Sequence, residues 1–375
     1  VKIKKAVALS TVIGVALAGL AFGGTASADP ASNGYVAVGS DTLQDSMNAL
    51  TNGTTVTGPS VRIVSNNVAI GNFDAFPVGS AIQTKPYGPY FGRPSGSSAG
   101  VNALRASAVG TRDWSASSNN TPAVKIGGQI DIARSSSGPG TNELPTTGVL
   151  YYAPYARDAV GYVYKGGSAA WANLDVDTLK GIFSGTVTSV GGITIKPRLP
   201  QTGSGTRNFF LGALYGDGVT TAAGVSDTSN TTAENDARVL GDGEIIPFSV
   251  ASWVAQANGV APINTTTTSG VSFGSAVVGQ VAFTGTGSSL VPNPDYYSNT
   301  TFGRDTYLVV EWARIDPAAG NTRFDAGLAA LVDPTNTAGL TNFSTTFNTQ
   351  PGSVKKKFGF LAPSTTLGKR AYLAL

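Results

Sequence analysis

Short apolar runs alternate with polar turns and helical spacings along most of the chain. A β-like run over residues 34–38 ends at Gly39-Ser40-Asp41-Thr42, and behind it Leu43, Met47 and Leu50 recur at helical spacing. Ser, Asp and Thr are helix-capping types, so a strand-turn-helix unit is expected here. Residues 61–64 read as a strand, and the Gly- and Pro-rich stretch 71–94 as a long loop. Gly96-Ser97-Ser98-Ala99-Gly100 is a second polar turn opening a helix. Residues 130–133 read as a buried strand, 149–155 and 159–164 as two β runs where the chain leaves a first lobe, and 174–183 as a helix. The turn 200–207 leads into an apolar helix face of Phe209, Phe210, Leu211 and Leu214. A strand over 244–247, a helix over 250–256, a strongly β segment over 306–312 and a helical stretch over 324–331 complete the pattern. Such alternation predicts an α/β architecture with mostly parallel sheets, in which ligands sit beyond the carboxyl ends of the strands.

The first residues change the picture of where the protein works. Lys2, Lys4 and Lys5 precede an apolar run over residues 6–22, and Ala26-Ser27-Ala28 supplies a small-residue cleavage pattern. This reads as a secretory signal over residues 1–28, cut after Ala28, rather than a membrane anchor, for which the run is short. The whole chain carries +3, so loss of those three lysines leaves a mature chain near neutrality. Nucleic-acid and membrane-surface binding, which need a concentrated positive field, gain no support.

There is no Cys and no His. Disulfides, a lipid anchor on cysteine, thiolate or imidazole metal sites and His-dependent nucleophilic triads are all excluded. Stability must come from a large core. With 48 Gly and only 13% charged residues, the remaining polar chemistry is that of hydroxyls and amides. Such a surface suits an extracellular protein whose site binds through neutral donors.

Three Ser/Thr/Gly clusters stand at expected helix starts: Ser40-Asp41-Thr42, Gly96-Ser97-Ser98 and Gly203-Ser204-Gly205-Thr206. Helix N-termini offer unsatisfied N–H groups and partial positive charge, glycine admits an anion close to the backbone, and hydroxyls add short-reach donors. Each cluster alone is an ordinary cap. Three such ends converging on one point would replace the hydration shell of a tetrahedral oxyanion. Arg207, directly after the third cluster, adds a fixed charge able to form two parallel hydrogen bonds.

These blocks, with Ile130-Asp131-Ile132-Ala133-Arg134-Ser135 and Glu244-Ile245-Ile246-Pro247-Phe248-Ser249, occur in an order that resembles the phosphate-binding proteins of ABC importers, the PstS-like group and its secreted actinobacterial members in particular. The resemblance implies a two-lobed periplasmic-binding-protein fold with a hinge and a ligand cleft between lobes, the first lobe built from residues 29–155 and 300–375 and the second from 156–299. It implies phosphate ligands at Ser40, Asp41, Thr42, Ser97, Ser204, Gly205 and Thr206. An upstream arginine completes such sites, for which Arg198 is the candidate and Arg207 the rival. Where the family carries an aspartate that accepts the phosphate proton, this chain has Ser136, and Asp41 is the hypothetical replacement. The implied partners are phosphate or a similar oxyanion and an ABC transporter membrane complex, with no nucleic acid, no cofactor and a monomeric chain. An enzyme is not expected, because no acid/base pair is marked by motif. The same fold binding another oxyanion or small organic ligand, or a secreted structural or adhesive protein, is the alternative.

Overall fold

A computed structural model of the chain describes residues 31–116, 121–216 and 230–375. The expected signal segment and its cleavage point lie outside the described residues. Among them, no helix is long and apolar enough to cross a membrane.

The frame is one sheet of nine strands: β1 (Val36–Gly39), β2 (Gly71–Asn72), β3 (Ile132–Ser135), β4 (Leu150–Lys165), β5 (Lys196–Pro197), β6 (Glu244–Ser249), β7 (Val271–Gly274), β8 (Gly303–Glu311) and β9 (Lys369–Ala371). The strand order is β5-β6-β4-β8-β3-β1-β2, with β7 and β9 also on β4. The sheet is mixed rather than mostly parallel. β1 runs parallel to β2 and β3, and β5 to β6, but every pairing of β4 and β8 is antiparallel. The two β runs expected over 149–155 and 159–164 are one 16-residue strand. Two different sets of partners pair its halves, and that continuous pairing holds it extended through the polar pair Arg157-Asp158.

Strand periodicity places apolar residues on alternate faces. Val36, Val38, Ala133 and Val309 face a core completed by α2 (Ser97–Val109) through Val101, Ala103 and Leu104. Ala37, Ile132, Leu308 and Val310 face the other way. They meet α1 (Gln44–Asn52), α7 (Ala326–Val332) and α8 (Pro351–Lys357) through Leu43, Met47, Leu328 and Val354. Farther along β4, Val160, Tyr162 and Tyr164 pack on α3 (Val176–Ser184) and α4 (Gly205–Tyr215). Ala159 and Val163 pack with α5 (Val250–Ala257) and α6 (Pro294–Ser298). Sheet, two helical faces and a second pair of cores give the two-lobed α/β fold.

The expected strand over 61–64 is not formed. Val61 and Ile63 are buried, but residue 61 makes only an isolated bridge to Thr54, and Val64 is exposed. Its apolar alternation serves to cover the α1 core, not to extend a ladder.

Candidate functional site

The three clusters do meet. The turn Ser40–Thr42 follows β1, Ser97 opens α2 and Ser204 caps α4, and the hydroxyl-bearing residues Ser40, Thr42, Ser97, Ser204 and Thr206 are all buried. Ordinary capping explains only one cluster. The Ser204 hydroxyl accepts from the N–H of Arg207 at 3.0 Å. α1 begins after Leu43 and α2 after Gly96, neither with a side-chain cap. The hydroxyls of the first two clusters are therefore directed elsewhere.

Thr42 and Thr206 approach through their Oγ1 atoms at 3.4 Å. Ser97 Oγ lies 3.2 Å from Ser136 Oγ and accepts the Ser136 N–H at 3.0 Å. Gly205 is needed here, since a Cβ would run into the Ser97 and Ser136 hydroxyls. Gly96, at φ +95°, passes so close to the Gly203 carbonyl that no side chain fits between them. The Ser98 N–H donates to that same carbonyl at 3.2 Å. The second and third clusters thus meet through main chain.

Sequence reading did not find the charged group at this point, Arg304 of β8. Its Nη2 donates to Thr206 Oγ1 at 3.0 Å and reaches Thr42 Oγ1 at 3.4 Å. Nε and Nη2 hold Asp158 of β4 at 3.1 and 2.8 Å. Asp158 also accepts from Ser249 Oγ and from the N–H of Ala251, in the first turn of α5, at 3.0 Å each through Oδ1. A carboxylate at a helix start and fully satisfied by donors fixes the guanidinium without neutralising the arginine's remaining donors. Arg304 Nη1 and Ser40 Oγ are buried with no hydrogen-bond partner among the described residues.

The expected arginines sit differently. Arg198 is held by Glu244 through two hydrogen bonds of 2.9 Å, and Arg207 Nη1 donates to the Pro200 carbonyl at 3.0 Å. Arg134, fully buried, donates to the carbonyls of Ser40 at 2.9 Å and Phe73 at 2.9 Å and to Asn72 Oδ1 at 2.5 Å. It locks β3 to the turn after β1.

Two acids complete the site. Glu234, 1% exposed, accepts from the Ser204 hydroxyl and from the N–H of Asp41 at 3.3 Å. Asp41 accepts from Asn235 Nδ2 at 3.0 Å. Asn235 is itself fixed by the N–H of Ser249 at 3.0 Å and by Gln256 Nε2 at 2.7 Å. Burial, then the charges of Glu234 and Asp45, push the Asp41 carboxyl well above the usual range, against the Asn235 hydrogen bond and Arg134. Burial also raises Glu234, opposed by Ser204 and Arg304. Among the described residues there is no group of His, Cys, Asp and Glu that could hold a metal ion. A cavity of about 610 Å³, lined by Ser97, Ser137, Tyr152, Asn208 and Phe209 among others, lies beside Ser97.

A polar cradle of hydroxyls, helix starts and one fixed arginine sits within a two-lobed α/β frame of the periplasmic-binding-protein kind. The chain belongs to the PBP superfamily, whose domain model matches residues 83–331. Among solved structures it is similar to an ABC-type phosphate transport receptor from Vibrio cholerae (16% identity, 88% of this chain and 100% of that one, TM-score 0.47). It is also similar to a putative phosphate ABC transporter substrate-binding protein with bound phosphate from Clostridium perfringens (13% identity, 88% and 99%, TM-score 0.47). PstS from Borrelia burgdorferi is similar at 14% identity, 88% and 99% coverage and TM-score 0.40. No curated protein matches the chain.

Proposed function

We propose that the protein is an extracellular solute-binding protein that holds inorganic phosphate between its lobes for an ABC importer. The observation that carries this is the meeting of the three buried clusters, through Thr42 with Thr206 and Gly96 with Gly203, where Arg304 reaches Thr42 and Thr206 and keeps Nη1 buried without a partner among the described residues. Hydroxyls, helix-start N–H groups and a guanidinium already fixed by Asp158 are the donor set that a tetrahedral oxyanion needs. Local dipoles compensate the anion, so a chain of low net charge suffices.

In this reading Ser40, Thr42, Ser97, Ser204, Gly205 and Thr206 contact phosphate, and Arg304 takes the role sought for Arg198 or Arg207. Ser136 orients Ser97, and Asp41 is the acceptor for a phosphate proton, disfavouring fully ionised sulfate. The lobes comprise residues 29–155 with 300–375, and residues 156–299, and the chain acts as a monomer after losing its signal segment. The resemblance of the cluster blocks supports these assignments.

Calorimetric titration of the mature protein with phosphate, with sulfate in parallel, tests the reading. One saturable site for phosphate is expected, and Asp41→Asn should erode its preference over sulfate. No heat and no thermal stabilisation with either anion would refute it. A second reading, a phosphate ester, is favoured by the cavity beside Ser97, where Tyr152 and Phe209 offer apolar surface to an organic group.

A further inference from the structure

The position of Glu234 is unusual for a site that takes anions. Its carboxylate accepts from the Ser204 hydroxyl and from the Asp41 N–H at 3.3 Å, and the Thr206 N–H and the Arg304 guanidinium favour its charged form. Those four groups come from the cap and first turn of α4, the turn before α1, and β8. Ser204, Thr206 and Arg304 belong to the donor set assigned above to phosphate. A carboxylate and an oxyanion compete for such donors on equal chemical terms, since both accept charge-assisted hydrogen bonds.

We propose that Glu234 sets the affinity and the pH range of the site by acting as an internal carboxylate ligand that an incoming oxyanion must displace. The inference rests on the anion reading of this cradle. The Ser40 hydroxyl and Arg304 Nη1, both buried and without a partner among the described residues, mark where the cradle offers more donors than Glu234 takes up. A planar carboxylate has two oxygens and a tetrahedral oxyanion four, so phosphate engages donors that Glu234 leaves over. That surplus lets the external ligand win.

Charge sharpens the competition. Asp41 and, behind it, Asp45 approach from the α1 side, Asp158 and Arg304 from β4 and β8, and Arg134 from β3. Asp158 is committed to Arg304, and Arg134 to backbone carbonyls and Asn72. Glu234 and Asp41 thus repel each other, and both are raised by burial. Protonation of Glu234 removes its charge-assisted bonds and frees donors for the anion. Its competition is strongest at high pH and fades as pH falls.

The test compares phosphate affinity of the full mature protein and Glu234→Gln by calorimetry at pH 5.5, 7 and 8. Phosphate's own titration is common to both proteins and cancels in the ratio. Loss of a charged competitor should tighten binding about tenfold at pH 8, with the ratio shrinking as pH falls toward 5.5. Equal or weaker binding by Glu234→Gln overturns the proposal while leaving the anion site standing. Absence of phosphate binding by both proteins overturns the anion reading and this inference with it. A second measurement stands apart from any variant of Glu234. The chain has no native cysteine, so spin labels at Thr146→Cys and Ser189→Cys report the span between the two sets of cores without added anion. The distance should lengthen from pH 8 to pH 5.5 as Glu234 releases its partners, and an unchanged distribution overturns the internal contact.

Discussion

Arg304 and Asp158 stand directly opposite each other on antiparallel strands β8 and β4, and the next pair along, Asp305 and Arg157, repeats the arrangement in reverse. Strand alternation sends the first pair toward Thr42 and Thr206 and the second toward Tyr297 and Ser364. One short piece of ladder therefore supplies both a site charge and a structural tie.

Removing one member of the buried pair strands the other. Asp158→Asn should lower unfolding free energy by about 3–5 kcal/mol, the usual cost of an uncompensated buried charge, read by urea denaturation. Arg304→Lys keeps the charge but loses the fork that grips Asp158 and Thr206 together. It should fold and bind phosphate at least tenfold more weakly (about 1.4 kcal/mol). Binding at the original affinity would remove Arg304 from the site.

The α4 cap separates stability from binding. Ser204→Ala costs about 1 kcal/mol as a lost N-cap, measured by thermal melting. Combined with Thr206→Ala, it should abolish phosphate heats in calorimetry at a much smaller cost to the fold than Asp158→Asn. Retained binding would place the anion elsewhere.

Arg198→Ala tests the negative side. Its pair with Glu244 is partly exposed, with the arginine side chain 26% and the carboxylate 18% accessible. Such pairs are worth at most about 1 kcal/mol. Phosphate affinity should stay within about twofold of the parent, a shift of less than 0.5 kcal/mol. A larger loss would return Arg198 to the ligand set.

Acid titration gives an independent check. Burial, helped by Asp74 and opposed by Arg134, pushes Asp45 from the ordinary 3.8 to about 6. A carboxylate raised in the folded state contributes stability that is fully present below its unfolded value and lost as pH rises through about 6. The melting temperature should therefore rise by a few degrees, about 2–4 °C, between pH 8 and pH 5, with Asp41 and Glu234 adding in the same direction. Asp45→Asn should flatten that slope. Parallel curves for the two proteins would show that Asp45 does not carry it.

Gly96→Ala tests the main-chain contact. A β-carbon at φ +95° is strained and points into the Gly203 carbonyl, so the clusters cannot approach as closely. Phosphate affinity should fall more than tenfold, or above 1.4 kcal/mol. Gly58→Ala, where φ is +98° and nothing lies within 4 Å, controls for backbone strain alone.

Local patterns made α1, α2, α4 and α5 legible to within a few residues, and the hydroxyl clusters with them, because caps and helix spacing are written in adjacent residues. Arg304, Asp158, Glu234 and Asn235 were not legible by that route. Their roles depend on the register between strands some 150 residues apart and on a turn held by Ser249 and Gln256. One signal was present: the dipeptide Arg-Asp interrupts both apolar β segments, at 157–158 and 304–305. Charged pairs inside two otherwise buried strands ask for each other. The mixed sheet was hidden for a related reason, since strand direction is set by where β4 and β8 travel and not by their composition.

β4 is shared by all four cores, and its long partner β8 lies near the end of the chain. A polypeptide emerging from its N-terminus can thus make β1, β2 and β3 early, yet β3 keeps an open edge until residues 307–309 arrive to pair with it. Such distant pairing is slow, because loop closure must precede the contacts that reward it. Neither half can finish before the last fifth of the chain has appeared, so the protein spends its synthesis as an incomplete sheet and becomes two-lobed in one late step.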